Sequence, residues 1–418
     1  MSYQYRTKPK IVNDPVLGLI DFSSPLLLTL IEHPWIQRLR RIKQLGMSDM
    51  VYPGAQHTRF LHTIGATTLM RLALDTLRMK GTDITDHEYE SAMVAILLHD
   101  IGHCPFSHAL EHHIADVSHE DISLIFMHEL NKQFDGALDT AIEIFTGSYQ
   151  KTYLSKLVSG QLDVDRLDYL RRDSFFTGVT EGIVNTDRII KMLEVVDDKL
   201  VVEKKGIYSI EKFLIARRLM YWQVYLHKTV HSAEQLLINI LRRAKYLTAK
   251  GEDLFASPAF KYFLQNNVTI DDFKSGAVRD NGKTTLENFA LLDDGDLMVS
   301  VKAWASHPDR VLSTLCNNLM NRKLPKTSVQ DHPADNGMVK LLQEGVMKKY
   351  NLTEEEASYF VSSGTIANKA YSQRHDQILI KEKDGSITEI VNVADMLNIR
   401  ALSTTISKYY ISWPKEIQ

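Results

Sequence analysis

Four side chains in the first half of the chain could bind a metal together: His62, His99, Asp100 and Asp165. Two imidazoles and two carboxylates form a mixed nitrogen and oxygen donor set, which suits a divalent transition metal and is too rich in nitrogen for calcium. Such a set predicts metal-dependent hydrolysis of a phosphate ester. A single buried histidine is usually a hydrogen-bonded core residue, so this interpretation depends on the four residues together.

The adjacent pair His99 and Asp100 follows an apolar run, residues 93–98, which predicts a buried helix. Burying two strongly hydrated side chains without partners is unfavourable, and a bound metal would compensate them. Gly102 and Pro105 predict that the helix ends just beyond the pair. The fold must then bring the two outer ligands to this point.

Two helical spacings place further groups near the predicted metal. Arg59 precedes His62 by three residues, so the guanidinium could share a helix face with a metal ligand and hold a phosphate oxygen. A structural ion pair is the alternative for this arginine. Asp165, Tyr169 and Asp173 recur every four residues and would form one stripe leading away from the metal. Surface ion pairs of small energetic value are the alternative for Asp173.

Two other patterns suggest functional side chains. His119 is followed by Glu120, and an imidazole beside a carboxylate can be tuned for proton transfer near neutral pH. Arg217, Tyr221 and Tyr225 form another series with a spacing of four. Aromatic residues at this spacing are more often part of a core, so ligand binding and core packing both remain open for Tyr225.

Length and composition describe a large globular chain of 418 residues, 44% hydrophobic and 24% charged. The net charge of −3 gives no strong signal for nucleic-acid binding. We expect a cytoplasmic protein without a membrane partner, because there is no apolar run of about 18 residues and no secretory leader pattern. The only cysteines, Cys104 and Cys316, argue against a disulfide framework.

The order of sequence patterns predicts a mainly α fold. Residues 10–16 and 18–22 predict a short N-terminal β-hairpin, and residues 25–250 show the three- and four-residue spacing of a helical bundle. After about residue 255 the chain is more polar, and residues 377–381 and 387–391 predict two strands of a small C-terminal α+β region. We therefore expect two domains, residues 1–255 with the site and residues 256–418 packed on them.

These motifs resemble those of a known family, the HD-domain phosphohydrolases, and within it the deoxynucleoside triphosphate triphosphohydrolases. Shared stretches include residues 37–40, 42–46, 59–62 and 102–108. The similarity covers residues 10–230 and includes the mammalian members with an added SAM domain and the bacterial dGTPase-like proteins. It implies an HD-domain helical bundle, a divalent metal such as Mn, Fe, Mg, Zn or Ni, and a dNTP substrate.

The resemblance also implies roles for individual residues. The metal ligands would be His62, His99, Asp100 and Asp165. The catalytic residues would be His119, Glu120, Arg59, His103 and His108, with Glu111 where the family commonly has aspartate. The substrate-binding residues would be Gln44, Leu45, Arg166, Tyr169, Asp173, Arg217 and Tyr225. In the family the Tyr169 position crowds out a 2′-hydroxyl and the Asp173 position meets the 3′-hydroxyl. Departures from the mammalian pattern at Arg166, Tyr221 and Leu226 leave the base preference open.

A second nucleotide site is implied by the same resemblance. In the mammalian relatives it binds an activating nucleotide between subunits, so activation by GTP or a dNTP and a homo-oligomer, a dimer or a tetramer, are expected. The matching positions for this allosteric site are Lys10, Glu32, Gln37, Arg40, Arg322 and Lys326.

We therefore expect hydrolysis of dNTPs to deoxynucleoside and inorganic triphosphate. One alternative is an HD-type phosphohydrolase or phosphodiesterase with another nucleotide specificity. A guanosine-tetraphosphate hydrolase should have an acidic pair after His99 and Asp100, and a cyclic-dinucleotide enzyme should have a Gly-Tyr-Pro element, and both features are missing. The other alternative is a nucleotide sensor without catalysis, against which the intact metal ligands argue.

Overall fold

A computed structural model describes residues 6, 8–279, 281–368, 376–395 and 406–417. Its helices are α1 (Pro25–Glu32), α2 (Pro34–Arg38), α3 (Arg59–Met79), α4 (Asp86–Leu98), α5 (His119–Gln133), α6 (Asp139–Thr146), α7 (Thr152–Val158), α8 (Val164–Thr177), α9 (Thr186–Lys191), α10 (Ile207–Met220), α11 (Lys228–Ala249), α12 (Pro258–Gln265), α13 (Ile270–Lys274), α14 (Thr285–Leu291), α15 (Asp294–Trp304), α16 (Arg310–Met320), α17 (Asn336–Tyr350), α18 (Glu354–Ala357) and α19 (Ile390–Val393). Its strands are β1 (Lys10–Asp14), β2 (Gly18–Phe22), β3 (Leu193–Val196), β4 (Lys199–Glu203), β5 (Lys326–Gln330), β6 (Ser362–Asn368), β7 (Leu379–Lys381), β8 (Ile387–Glu389) and β9 (Ile406–Trp413). Short 3₁₀ turns include Ser48–Met50 and Ser107–Ala109, and Tyr221–Tyr225 forms a π-helical turn. The mainly α prediction is confirmed.

The N-terminal hairpin is anchored to the helical core through one aspartate. Strands β1 and β2 pair antiparallel, as predicted. Asp14 Oδ1 accepts the backbone N–H groups of Val16 and Leu17 at 2.8 Å, which closes the turn. Asp14 Oδ2 accepts a hydrogen bond from Arg172 of α8 at 2.7 Å, and both side chains are fully buried. The hairpin is therefore fixed to the helix that carries Asp165.

Helices α3, α4 and α8 form the part of the core that positions the site. Helix α4 begins with a capping box between Thr85 and Glu88, which satisfies two backbone N–H groups at the helix start. Its second half, residues 91–98, is entirely buried. The helix ends at Leu98, so the pair His99 and Asp100 emerges directly from the core. The predicted apolar helix is confirmed, but it ends before the pair and not just beyond it.

The expectation of helix throughout residues 25–250 is wrong at residues 193–203, which form the antiparallel hairpin β3–β4. Asp197 and Asp198 occupy its two-residue turn with positive φ angles of 48° and 59°. Such a turn suits the right-handed twist of a β-hairpin, and short polar side chains tolerate these angles better than other residues. The β-branched pairs on either side favour strands over helix.

Strand β4 links the first half of the chain to its C-terminal part. It pairs in parallel with β7, with Val201 opposite Leu379, and β7 pairs antiparallel with β8. A second sheet has the order β5-β9-β6. The two predicted C-terminal strands are confirmed, except that residues 390–391 begin α19 instead of extending the strand. The division at residue 255 stays a prediction. In the described part of the chain, every helix is too short or too polar to cross a lipid bilayer.

Candidate active site

The structure brings the four predicted metal ligands together. His62 lies on the first turn of α3, and Asp165 on the first turn of α8. The Nε2 atom of His62 is 3.0 Å from Asp165 Oδ1 and 3.7 Å from Asp100 Oδ2. The Nε2 atom of His99 is 3.5 Å from the same Asp165 oxygen and 3.4 Å from Asp100 Oδ1. We call these four residues the His-Asp cluster.

The donor atoms of the His-Asp cluster fit a divalent cation. The Nε2 atoms of His62 and His99 are buried, and among the described residues they form no well-aligned hydrogen bond, although the carboxylate oxygens lie close. Burial opposes charge on the His62 imidazole, but Asp165 and Asp168 outweigh it and raise the pKa of His62 to about 10. Burial also opposes charge on the Asp165 carboxylate, yet His62 and His99 hold the pKa of Asp165 well below its usual range. A site that favours positive charge between two carboxylates suits a metal ion.

The orientation of His62 is fixed from behind by Asp168. The Nδ1 atom of His62 is 2.8 Å from Asp168 Oδ2, and Arg172 Nε donates to the same oxygen at 2.8 Å. The close packing requires Gly65 on α3, because a Cβ there would lie 2.1 Å from both Asp168 and Arg172. His99 is oriented in the same way by the backbone, since its Nδ1 lies 2.7 Å from Ile96 O. Both rings therefore direct Nε2 into the cluster.

Arg59 connects the His-Asp cluster to a neighbouring cavity. Its guanidinium pairs with the Asp100 carboxylate, and its Nε donates to Ser107 Oγ at 2.8 Å. The structural ion pair that the sequence left open is therefore present. Burial opposes ionisation of Asp100, but His103, His99 and Arg59 hold its pKa well below the usual range. Arg59 also lines the cavity, where it could still meet a phosphate.

Three histidines, His103, His108 and His119, form a second group beside the first. Their ring centroids are 4.0–5.2 Å apart, and His103 Nδ1 lies 3.3 Å from Asp100 Oδ1. One donor atom from each ring lies within 4.8 Å of the others, so this three-histidine cluster could itself hold a cation or an anionic oxygen. His103 is buried, and burial followed by the charge of Arg59 lowers its pKa well below the usual range.

The carboxylate that contacts the three-histidine cluster is Glu111, which corrects the predicted pairing of His119 with Glu120. Glu111 Oε2 lies 2.9 Å from His108 Nδ1, and Glu111 Oε1 lies 2.6 Å from His119 Nδ1. Burial opposes the Glu111 charge, but these histidines hold its pKa well below the usual range. Glu120 is exposed on the first turn of α5. Adjacent helical residues point in different directions, which explains why sequence neighbours do not pair here.

A cavity of about 360 Å³ opens beside the clusters. Such a volume lies within the usual range for small-molecule sites. Its lining includes seven of the predicted site residues: Gln44, Leu45, Arg59, His108, Tyr169, Asp173 and Tyr225. The Tyr169 ring is centred 6.4 Å from the His62 ring, so the predicted stripe does begin at the metal ligands. Asp173 accepts a hydrogen bond from Tyr225 Oη at 2.8 Å and contacts His57 Nε2 at 2.8 Å.

Two predicted substrate residues, Arg166 and Arg217, do not line this cavity. Arg166 pairs with Asp163, and Arg217 donates to Gln161 Oε1 at 3.2 Å. Both lie close to Tyr169 in the cavity wall. Their positive charges therefore oppose the increase that burial gives to the pKa of Tyr169.

The predicted allosteric residues form separate local contacts. Lys10 Nζ lies 3.3 Å from Glu32 Oε1, and Arg40 Nε donates to Gln37 Oε1 at 2.8 Å. Arg322 Nε donates to the Met50 carbonyl at 2.9 Å. Lys326 lies 5.2 Å from the centre of the Trp413 ring.

Sequence reasoning missed three residues that the structure places at the site, and it named a fourth, Glu111, only as a position where the family commonly has aspartate. Asp168, Glu111 and His57 hold side chains that were predicted, and Glu234 of α11 lines the cavity directly. Asp168 had a usable signal, since it follows Asp165 on the same helix and faces α3. Glu234 had none, because it falls outside the four-residue spacing of Arg217, Tyr221 and Tyr225 and belongs to no other motif.

The fold and the site define a helical protein with a buried His-Asp cluster that could hold a cation, beside a cavity. The HD domain family matches residues 59–173, and the HD associated region matches residues 184–255. The chain belongs to the HD-domain phosphohydrolase family. HD domains bind divalent metals, in agreement with the His-Asp cluster.

Individual relatives agree with this assignment. The crystal structure of a phosphohydrolase from Bacteroides thetaiotaomicron VPI-5482 is 51% identical, covers 97% of this chain and 100% of that chain, and gives a TM-score of 0.92. Uncharacterized protein YwfO from Bacillus subtilis (strain 168) is 34% identical over 76% of this chain and 71% of its own length. The deoxynucleoside triphosphate triphosphohydrolase SAMHD1 homolog of Dictyostelium discoideum is 28% identical over 58% of this chain and 51% of its own length. The match thus spans about half of that last relative. The resemblance to HD-domain phosphohydrolases is confirmed.

Proposed function

We propose that this phosphohydrolase converts dNTPs to deoxynucleoside and inorganic triphosphate. The observation that carries the proposal is the continuity between the His-Asp cluster and the cavity. Arg59 belongs to both, and Tyr169 and Asp173 continue along the cavity wall from the cluster. The name of the Dictyostelium discoideum relative, a deoxynucleoside triphosphate triphosphohydrolase, supports the same substrate class.

In the proposed reaction, the oxygen of a water molecule adds to the α-phosphorus and the bond from this phosphorus to the sugar 5′-oxygen breaks. The water loses a proton, and the 5′-oxygen gains one to become the hydroxyl of the deoxynucleoside. A divalent cation held by His62, His99, Asp100 and Asp165 would polarise the phosphate and lower the pKa of a water. The remaining steps belong to side chains of the chain itself.

The three-histidine cluster is suited to the proton transfers. The carboxylate of Glu111 contacts the Nδ1 atoms of both His108 and His119, so their Nε2 atoms would be available to the substrate. His119, oriented in this way, would exchange protons with the reacting oxygens, and His108, which lines the cavity, would hold the α-phosphate. Arg59 would offset negative charge that develops around phosphorus, whereas His103, whose pKa is lowered, stays neutral and would contribute only a hydrogen bond. Glu120, which is exposed, receives no role in this scheme.

The cavity wall provides the proposed substrate contacts. Tyr169 would pack against C2′ of the sugar and leave no room for a 2′-hydroxyl, and Asp173 would accept a hydrogen bond from the 3′-hydroxyl. Tyr225 would hold Asp173 and pack on the nucleotide, since it already donates to this carboxylate. Gln44 and Leu45 would approach the base. Arg166 and Arg217 lie beyond the cavity wall, and they would reach the phosphate chain by releasing Asp163 and Gln161.

A product screen tests the function. The purified protein is supplied in turn with Mn, Fe, Mg, Zn and Ni and incubated with each of the four dNTPs, with and without GTP and dATP. We expect deoxynucleoside and inorganic triphosphate in stoichiometric amounts, separated by anion-exchange chromatography. If no combination produces triphosphate, or if monophosphate and pyrophosphate form instead, the proposal is wrong.

We also propose that nucleotides activate the enzyme as a homo-oligomer. The support is the pairing of Lys10 with Glu32 and of Arg40 with Gln37, since each pair joins two of the implied activator residues. Light scattering after size exclusion, with and without GTP, measures the oligomeric state. A molar mass and a turnover rate that do not respond to GTP or to any dNTP would contradict activation.

A further inference from the structure

Glu234 is an acidic group in the wall of the proposed substrate cavity. It lies on the second turn of α11 and shares the cavity with Tyr169, Asp173 and Tyr225. Among the described residues, none forms a hydrogen bond or an ion pair with its carboxyl group. Burial is accordingly the one cause that shifts the pKa of this group. The side chain is half-buried, and a carboxyl without a protein partner in a cavity wall is available to a ligand.

The position of Glu234 is close to the segment that is expected to meet the base. If Gly46 had a Cβ, this atom would lie 3.9 Å from Glu234 Oε1. Gly46 directly follows Gln44 and Leu45, and all three line the cavity. Gly46 cannot be replaced easily, since its φ is +50° and its Cβ would also lie 2.9 Å from the Phe106 carbonyl oxygen. The backbone thus approaches the carboxyl closely at one end of the cavity.

Gln44 provides a second, independent observation at the same end. Its Oε1 atom is buried and has no hydrogen-bond partner in the part of the chain that the structure describes. Gln44 and Glu234 both line this cavity, and each carries an oxygen acceptor without a hydrogen-bond partner among the described residues. Together they require a ligand edge with several hydrogen-bond donors.

We propose that Glu234 reads the base of the substrate and selects guanine, with its two carboxylate oxygens accepting hydrogen bonds from the N1–H and the 2-amino group. Gln44 would accept the remaining N–H of this amino group. This inference rests on the proposed function, because it assigns the base end of the same substrate cavity.

Guanine fits these acceptors better than the other bases. Its Watson–Crick edge offers three N–H bonds, one on N1 and two on the 2-amino group. Adenine and cytosine each offer only an amino group beside an acceptor nitrogen, and thymine offers a single N–H between two carbonyl oxygens. Burial raises the pKa of Glu234 to about 8, so an empty cavity favours the neutral acid near neutral pH. Near neutral pH the ionised form is therefore about tenfold less populated than the neutral acid. Two charge-assisted hydrogen bonds to the base stabilise the ionised form by more than this factor.

The test compares E234Q with the parent protein. An amide of the same shape keeps one acceptor but replaces the other with a donor, which opposes the 2-amino group and matches adenine. We expect the ratio of kcat/KM for dGTP to that for dATP to fall about tenfold or more, because one bidentate contact discriminates by about that factor or more. E344Q on α17 is the matched control, since it removes one exposed carboxylate far from the described cavity lining. A ratio in E234Q equal to that of the parent, or a parent that prefers dATP, overturns the inference.

A binding measurement separates failure of this inference from failure of the proposed function. Deoxyguanosine, deoxyinosine and deoxyadenosine have no phosphate to hydrolyse, so calorimetry on the metal-loaded protein reports base recognition alone. We expect deoxyguanosine to bind most tightly, deoxyinosine more weakly because it lacks the 2-amino group, and E234Q to lose this order. If the order holds while no dNTP is hydrolysed, only the proposed reaction fails. If dNTPs are hydrolysed without this order, only the role of Glu234 fails.

Discussion

Asp168 Oδ2 lies 2.8 Å from the Nδ1 atom of His62, and both side chains are fully buried. When His62 is neutral, its Nδ1–H donates to this aspartate, and the Nε2 lone pair is left for the His-Asp cluster. Burial opposes the Asp168 charge, but Arg172 and His62 lower its pKa below the usual value. Asp168 therefore remains a carboxylate that can hold the ring in one orientation.

Asp168→Asn should weaken metal binding without removing a metal ligand. Loss of a carboxylate behind a ligating histidine typically lowers metal affinity by about 10–100-fold. Competition with a chromophoric chelator measures this affinity, and circular dichroism checks the fold. Asp187→Asn, an exposed aspartate on α9, is the matched control. Equal metal affinity in folded Asp168→Asn and in the parent protein would show that the contact does not position His62.

Glu111→Gln should slow turnover more than Glu120→Gln does. The amide at position 111 cannot hold both His108 and His119 in the same state, because only one of its two ends is an acceptor. We expect kcat to fall at least about tenfold for Glu111→Gln, within the range of general acid–base effects, while KM and metal content change little. The comparison of the two variants shows whether Glu111, which contacts His119 in the structure, or Glu120, which follows it in sequence, supports turnover. A larger loss of kcat in the Glu120 variant would favour the original pairing.

Tyr169→Ala should reduce the preference for deoxyribose. The shortened side chain would leave room for a 2′-hydroxyl beside Asp173. The kcat/KM for ribonucleotides should therefore increase relative to that for deoxyribonucleotides. We expect the kcat/KM ratio of dGTP to GTP to fall about tenfold or more, since exclusion by shape is worth about 1–3 kcal/mol. Tyr169→Phe keeps the ring and should keep the preference. If both variants retain the parental ratio, the sugar is selected elsewhere.

Glu88→Gln should reduce stability at neutral pH and much less in acid. Burial opposes the Glu88 charge, but hydrogen bonds from Lys151, Thr85 and Tyr149 lower its pKa to about 2. Because this value lies below the ordinary 4.5, the ionised group stabilises the folded state above about pH 4.5, and this contribution is lost as the pH falls towards 2. We expect the variant to lose about 1–3 kcal/mol in the free energy of unfolding at neutral pH.

Urea unfolding of the parent, Glu88→Gln and the exposed control Glu344→Gln at several pH values measures this difference. The gap between parent and Glu88→Gln should narrow as the pH falls below 4.5. A gap that stays constant with pH would show that the loss comes from packing and not from the charge.

Local signals in the sequence predicted the part of the site that lies on regular helices. The apolar run before His99 and Asp100 fixes the buried end of α4, and the four-residue spacing of Asp165, Tyr169 and Asp173 fixes one face of α8. The N-terminal hairpin was predictable for the same reason, since its turn residues are adjacent in sequence. What these patterns could not supply is which distant elements meet.

Contacts between distant segments explain the errors and omissions. The pairing of His119 with Glu111 crosses the turn before α5, so adjacency in sequence pointed to Glu120 instead. The hairpin β3–β4 lies among helices, and its Asp197–Asp198 turn was the signal that was overlooked. Parallel pairing of β4 with β7 joins residues that are far apart along the chain, and no local pattern specifies such a partner.

Metal content of the parent protein and of Asp165→Ala tests the central claim most directly. Each protein is purified in the same way, incubated with manganese, freed of unbound ions and analysed by mass spectrometry, with circular dichroism to confirm equal helix content. We predict about one ion per chain in the parent and a large loss in Asp165→Ala, because the carboxylate oxygen that lies between His62 and His99 is gone. A parent that retains no ion, or a folded variant that retains as much as the parent, would contradict the account.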